Sequence, residues 1–196
     1  MKVINFNKYK RKLGYSMNVN IKNSSQIEKK AEGLLDKYGV DKAPVNLFEL
    51  CNGEGIKLSN VKFKNYKDDY IVGAIKKDKD GKINIYINKE ENLDKRRFVI
   101  AQALGHYILE DFDEKGQRVI LGKRDAYNSK NKQGFKANEF AENLLMNKDK
   151  VKKECLKLQK CKVSDDIIIN SLAEMFGVSE QVMKFRLENL GLIKHV

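Results

Sequence analysis

The chain has 196 residues, 41% of them hydrophobic, and carries 39 Lys and Arg against 27 Asp and Glu for a formal net charge of +12. That length and apolar content exclude global disorder and fit one domain with a small appendage. The cationic surplus favours nucleic acid, an anionic surface or an acidic protein as partner, and serves solubility equally well.

The three cysteines, Cys51, Cys155 and Cys161, form no C-x-x-C pair. An odd number so spaced reads as small hydrophobes in a reducing compartment rather than as a disulfide framework. No apolar run approaches the roughly 20 residues that a membrane helix needs. The polar, basic stretch Met1 to Lys12 has no apolar segment of the secretory kind. The expectation is a cytoplasmic protein with no membrane partner.

In chain order, residues 1–23 read as a basic, loosely ordered arm. Ser25-Gln26-Ile27-Glu28 has capping-box spacing, and Ile27, Ala31, Leu34, Leu35 and Tyr38 recur at helical spacing after it. Val45 to Cys51 predicts a second short helix stopped near Gly53. Ile56 to Phe63 and Tyr70 to Ile75 predict two strands. Asp78-Lys79-Asp80-Gly81 is turn chemistry, and Ile83, Ile85 and Ile87 alternate with polar residues as a half-buried third strand. Tyr70 to Lys89 therefore predicts a hairpin.

Glu90 to Asp111 predicts a long helix, with its charged start, Glu90 to Arg97, in solvent. Gln117 to Lys123 reads as a short strand or an irregular lid, and Arg124 to Gln133 as loop. Lys136 to Asn147 and Val151 to Leu158 predict helices, and Asp165 to Phe176 and Ser179 to Leu190 a helical pair joined at Gly177-Val178. The expected fold is α+β: a small antiparallel three-stranded sheet packed on the Glu90–Asp111 helix. The expected division is the arm, a main domain over 24–150 and a C-terminal helical subdomain over 151–196.

The stretch Gln102-Ala103-Leu104-Gly105-His106 carries the most chemical information. A zinc-protease helix of the H-E-x-x-H type needs two histidines at i and i+4 and a glutamate base beside the first. Here His106 holds the second histidine position, Gln102 the first and Ala103 the glutamate position. A carboxamide binds zinc poorly, and alanine cannot take a proton from water. His106 reads either as a core histidine or as a ligand in a shifted site with Glu110, four residues on, and Glu139 or Glu142.

Two blocks, Arg97-Phe98-Val99-Ile100-Ala101 with Leu104-Gly105-His106-Tyr107, and Ala137-Asn138-Glu139-Phe140-Ala141 with Leu144-Leu145-Met146, carry a family pattern in order and at its separation. From about Ser24 to the C-terminus the chain resembles the ImmA/IrrE-type metallopeptidases. The resemblance implies a zincin-like fold, zinc as cofactor and cleavage or binding of transcriptional repressors, often in mobile elements and stress responses. It also implies a third ligand, a glutamate just ahead of the Ala-Asn pair, where this chain reads Gln133-Gly134-Phe135-Lys136. No intact catalytic residue, no metal and no cofactor are therefore expected.

Three functions follow as expectations. The first is an inactive relative that binds a regulatory, mobile-element or host protein through the former substrate groove along the third strand. The second is an active metallopeptidase with an unusual site that cleaves a transcriptional repressor, or an inactivated copy of one made for study. The third is a DNA-binding regulator, because Leu172 to Leu187 has helix-turn-helix spacing that would present Ser179, Gln181, Lys184 and Arg186 to a groove. The competing reading of that segment is a structural helical hairpin.

Overall fold

The computed structural model describes residues 21–63, 71–110, 118–122 and 132–194. Most of the expected arm, the Arg124–Gln133 loop up to residue 131, and His195 lie outside the described residues. Among the described residues are seven helices: α1 (Ile21–Lys37), α2 (Leu47–Gly53), α3 (Leu93–Ile108), α4 (Lys132–Leu145), α5 (Lys148–Lys160), α6 (Asp165–Phe176) and α7 (Glu180–Asn189). The four strands are β1 (Lys57–Val61), β2 (Ile71–Lys77), β3 (Ile83–Asn88) and β4 (Arg118–Gly122). The fold is α+β, with α3 lying between the sheet and α4.

The sheet differs from the expected three-stranded antiparallel form. Its order is β1-β3-β2-β4, with β1 parallel to β3 and the other two pairings antiparallel. A parallel pair needs a crossover rather than a tight turn. The nine residues between Val61 and Ile71 give β2 the reach to start on the far side of β3. Strand β3 is thus internal, and its edge is not open to a peptide. The segment expected as strand or lid forms the edge strand β4.

The β2–β3 hairpin is where its alternation and turn chemistry put it, with Ile75 opposite Ile85. Asp78 Oδ1 accepts from the backbone N–H groups of Asp80 (3.0 Å) and Lys82 (2.8 Å), and Gly81 takes a φ of 82°. That positive φ costs glycine nothing and would strain any residue with a Cβ.

Helix α1 starts at Ile21, ahead of the expected capping box, so Ser25 and Glu28 lie inside it. The hydroxyl one residue earlier, Ser24 Oγ, donates to Glu139 of α4 instead. Buried residues from Ile27 to Ile193 form one continuous core, in which Phe140, Leu104, Ile85, Leu172 and Phe176 are among the most enclosed.

Candidate functional site

Helix α3 is buried at Val99 and over the unbroken run Ala101 to His106, because the sheet covers one of its sides and α4 another. Asn92 caps its start: its Oδ1 accepts from the Lys95 N–H at 3.1 Å. Alanine, glycine and leucine in the run let a helix with two covered faces pack closely. A Cβ on Gly105 would lie 3.0 Å from the Ala137 carbonyl oxygen and 3.1 Å from its Cα. Glycine at this position sets the α3–α4 spacing.

Within this contact sit two polar side chains one helical turn apart, Gln102 (3% exposed) and His106 (2%). Gln102 Nε2 donates to Asn138 Oδ1 on α4 at 2.8 Å. The two central polar groups facing each other across the helix pair are therefore neutral carboxamides. Ala103, between them in sequence, is fully buried.

The IrrE N-terminal-like domain model matches residues 51–188, from the end of α2 to the end of α7. The chain belongs to the ImmA/IrrE family. Among curated proteins none matches it. Its fold is the α+β arrangement of that domain.

The family implies zinc, and the described residues do not fit it. Gln102 spends its amide on Asn138. Lys136, at the position of the expected third ligand, is exposed and carries no electron pair for a metal while protonated. The candidates for a shifted site belong to no metal-suited group of three among the described residues. Helix α3 ends at Ile108, and Glu110 follows in a turn with a φ of 55°, so it leaves the helical face that the i+4 spacing assigned to it. Glu139 points to α1, where Ser24 Oγ donates to it, and burial raises its pKa while that hydrogen bond and Arg186 oppose the rise. No group of three or more His, Cys, Asp and Glu suited to a metal occurs among the described residues.

The C-terminal hairpin corrects a second expectation. Gly177 ends α6 in the left-handed region (φ 63°), and Ser179 Oγ accepts from the Val182 N–H as the cap of α7. Gln181 is exposed and Lys184 half-buried. Arg186, expected to face a groove, is 8% exposed and turned inward. Its Nε and Nη2 donate to the Met146 carbonyl at 3.1 and 2.9 Å, and Nη2 also donates to Asn143 Oδ1 at 2.7 Å. It follows buried Met183 by three residues and so shares the core-facing side of α7. There it caps the C-terminal end of α4, where a cation is favoured.

Arg97 likewise leaves the solvated helix start expected for it. Its Nε donates to the Gly177 carbonyl and its Nη2 to the Val45 carbonyl, both at 2.9 Å. One guanidinium thus ties α3 to the entry of α2 and the turn between α6 and α7. Glu91, in the same charged stretch, is buried and pairs with Lys95 at 3.2 Å.

At the other end of α3, Glu54 Oε1 accepts from Lys37 Nζ (2.6 Å) and the Tyr38 hydroxyl (2.9 Å), and the Tyr107 hydroxyl lies 3.5 Å from Oε2. Burial pushes the Glu54 pKa up, but these donors outweigh it and hold the carboxyl below its ordinary value. Sequence reasoning missed Asn138, Arg97, Arg186 and Glu54 as partners. Asn138 and Arg97 stand inside the two family blocks, which is the one signal that could have singled them out.

Proposed function

We propose that this chain is a non-catalytic ImmA/IrrE-type protein that binds a regulatory protein partner, such as a repressor of a mobile element or its host, through the former substrate groove. The single observation that carries this reading is the Gln102–Asn138 amide pair at the centre of the α3–α4 contact, with Ala103 beside it. A hydrolase of this type needs a metal-bound water and a base to deprotonate it. Here the first ligand position is committed to a neutral hydrogen bond, and the base position has no ionisable group. The helix-and-sheet framework that would shape a groove on this reading is the family's α+β core.

Because β3 is internal, the docking edge belongs elsewhere. Strand β4 lies at the sheet margin beside β2 and approaches α3. An extended peptide that added to this edge would bond through its main chain.

The test combines metal analysis of the protein as isolated from its native cell with crosslinking in that cell. The expected result is substoichiometric zinc together with an intact captured regulator. Stoichiometric zinc with cleavage of a captured repressor would overturn the proposal.

A further inference from the structure

The charge of the C-terminal helices is segregated. Residues 148–162, covering α5 and its exit, hold seven lysines against two acids, whereas 165–189, covering α6 and α7, hold five acids against two bases. With Arg186 buried, the helix-turn-helix-like hairpin keeps a single half-buried cation, Lys184, among exposed acids. Helix α5 instead presents a cationic surface. Val151 and Cys155 are buried on its inner side, and Lys153, Lys157 and Lys160 are exposed on its outer side at i, i+4 and i+7. Asp149 heads this stripe and Glu154 pairs with Lys157 at 2.7 Å, while Lys162 extends it beyond the helix.

From this segregation we infer that α5, not α7, is a nucleic-acid-binding face, and that it grips the phosphate backbone of duplex DNA without reading sequence. This does not rest on the groove reading above. At a rise of 1.5 Å per residue, Lys153 to Lys160 spans about 10 Å, the axial length of about three successive phosphates on one strand. Lysine is a flexible point charge, suited to phosphate contact but not to forked recognition of base edges. Helix α5 has no arginine and no aromatic residue.

An acidic protein is the competing partner, because Leu156, on the flank of the stripe opposite Lys157, is 53% exposed. Lysine is depleted in protein–protein interfaces, and one leucine among lysines does not make the apolar centre such an interface needs.

The experiment measures binding of the full chain to a short random-sequence DNA duplex across a salt series. The variants are the triple Lys153→Gln/Lys157→Gln/Lys160→Gln, a control of equal charge loss on the sheet (Lys57→Gln/Lys76→Gln/Lys77→Gln), and Leu156→Ser. All substituted positions are exposed, and thermal melts confirm that each variant folds. The expected result is a steep salt dependence for the natural chain. In the α5 triple variant the slope of log affinity against log salt shrinks by about two to three, and affinity at low salt falls about tenfold or more. The sheet control and Leu156→Ser stay within about twofold of the natural chain. The inference is overturned if the natural chain does not bind the duplex, or if the two triple variants weaken equally, since net charge alone would then act. It is also overturned if Leu156→Ser abolishes binding or if polyglutamate binds more tightly than the duplex, since the face would then serve an acidic protein.

Discussion

The amide pair at the α3–α4 contact makes Gln102→Glu an informative substitution. The change keeps size and shape, and replaces the N–H that reaches Asn138 Oδ1 at 2.8 Å with a carboxylate oxygen facing an oxygen. Gln102 is 3% exposed, so little water reaches the new charge. Groups buried this deeply have carboxyl pKa values raised by about two to three units or more, and each unit is about 1.4 kcal/mol. The penalty at pH 8 is then about 3–4 kcal/mol. The folded-state pKa lies above the unfolded value of about 4.3, so the folded state binds the extra proton. The penalty is therefore absent below about pH 4, grows as pH rises and levels off above the folded-state value. At low pH the protonated carboxyl donates to Asn138 as the amide did. For a domain of this size, about 3–4 kcal/mol corresponds to a fall in Tm of about 6–16 °C. Thermal melts of the variant and the natural chain, taken in parallel from acid to mild alkali, read this out. A Tm difference independent of pH, or none at pH 8, would show that the charge is not buried against Asn138 and would refute the reasoning.

Other expectations follow from the same geometry. Glu139→Gln keeps an acceptor for Ser24 Oγ and removes a carboxylate whose pKa burial raises. It should stabilise the protein above the ordinary carboxylate range and be neutral below it; urea titrations at two pH values decide. Arg186→Met leaves the Met146 carbonyl and Asn143 Oδ1 without their buried donor and should cost about 3 kcal/mol, read as a lower urea midpoint with unchanged slope. Cys161 is exposed whereas Cys51 and Cys155 are buried, and burial pushes the Cys51 thiol up to about 12. A thiol reagent should therefore label one cysteine quickly and the other two only on unfolding. The combined variant Gln102→His, Ala103→Glu and Lys136→Glu should retain about one zinc per chain through gel filtration if the family alignment is right, and no gain of metal would discredit that alignment.

Much of the fold is legible along the chain because it is local. The β2–β3 hairpin is announced by its alternation and by Asp78 and Gly81, and the helices by their apolar spacing. What is not legible depends on partners far apart in sequence. Pairing of β1 with β3 in parallel is a choice between sheet edges that no local pattern specifies. The Ser25–Glu28 box promises a helix start, yet Ser24 meets Glu139, 115 residues away, and the helix begins earlier. Arg97 and Arg186 look like surface charges. A long side chain with five donors can instead be drawn in wherever buried carbonyls lack partners, and the α6–α7 turn and the end of α4 supply them.

The candidate site follows the same division. The helical spacing of Gln102 and His106 places them on one face, but that Gln102 answers Asn138 emerges only when α3 and α4 meet. Their close approach rests on Gly105 against the Ala137 backbone and on Phe140, contacts that need no ion. This bears on how such a site can lose its metal. A buried cluster of metal-ligating groups stripped of its cation leaves negative charge and lone pairs in a dry contact, a penalty of several kcal/mol. Replacing one group alone leaves most of that penalty in place. On the proposed reading the changes are therefore coupled by electrostatics. The base position becomes a methyl group, the first ligand position becomes an amide whose N–H finds Asn138, and the third ligand position becomes a lysine that faces water. Reverting Ala103 to glutamate by itself, with Gln102 still paired to Asn138, should then destabilise the chain without conferring metal affinity.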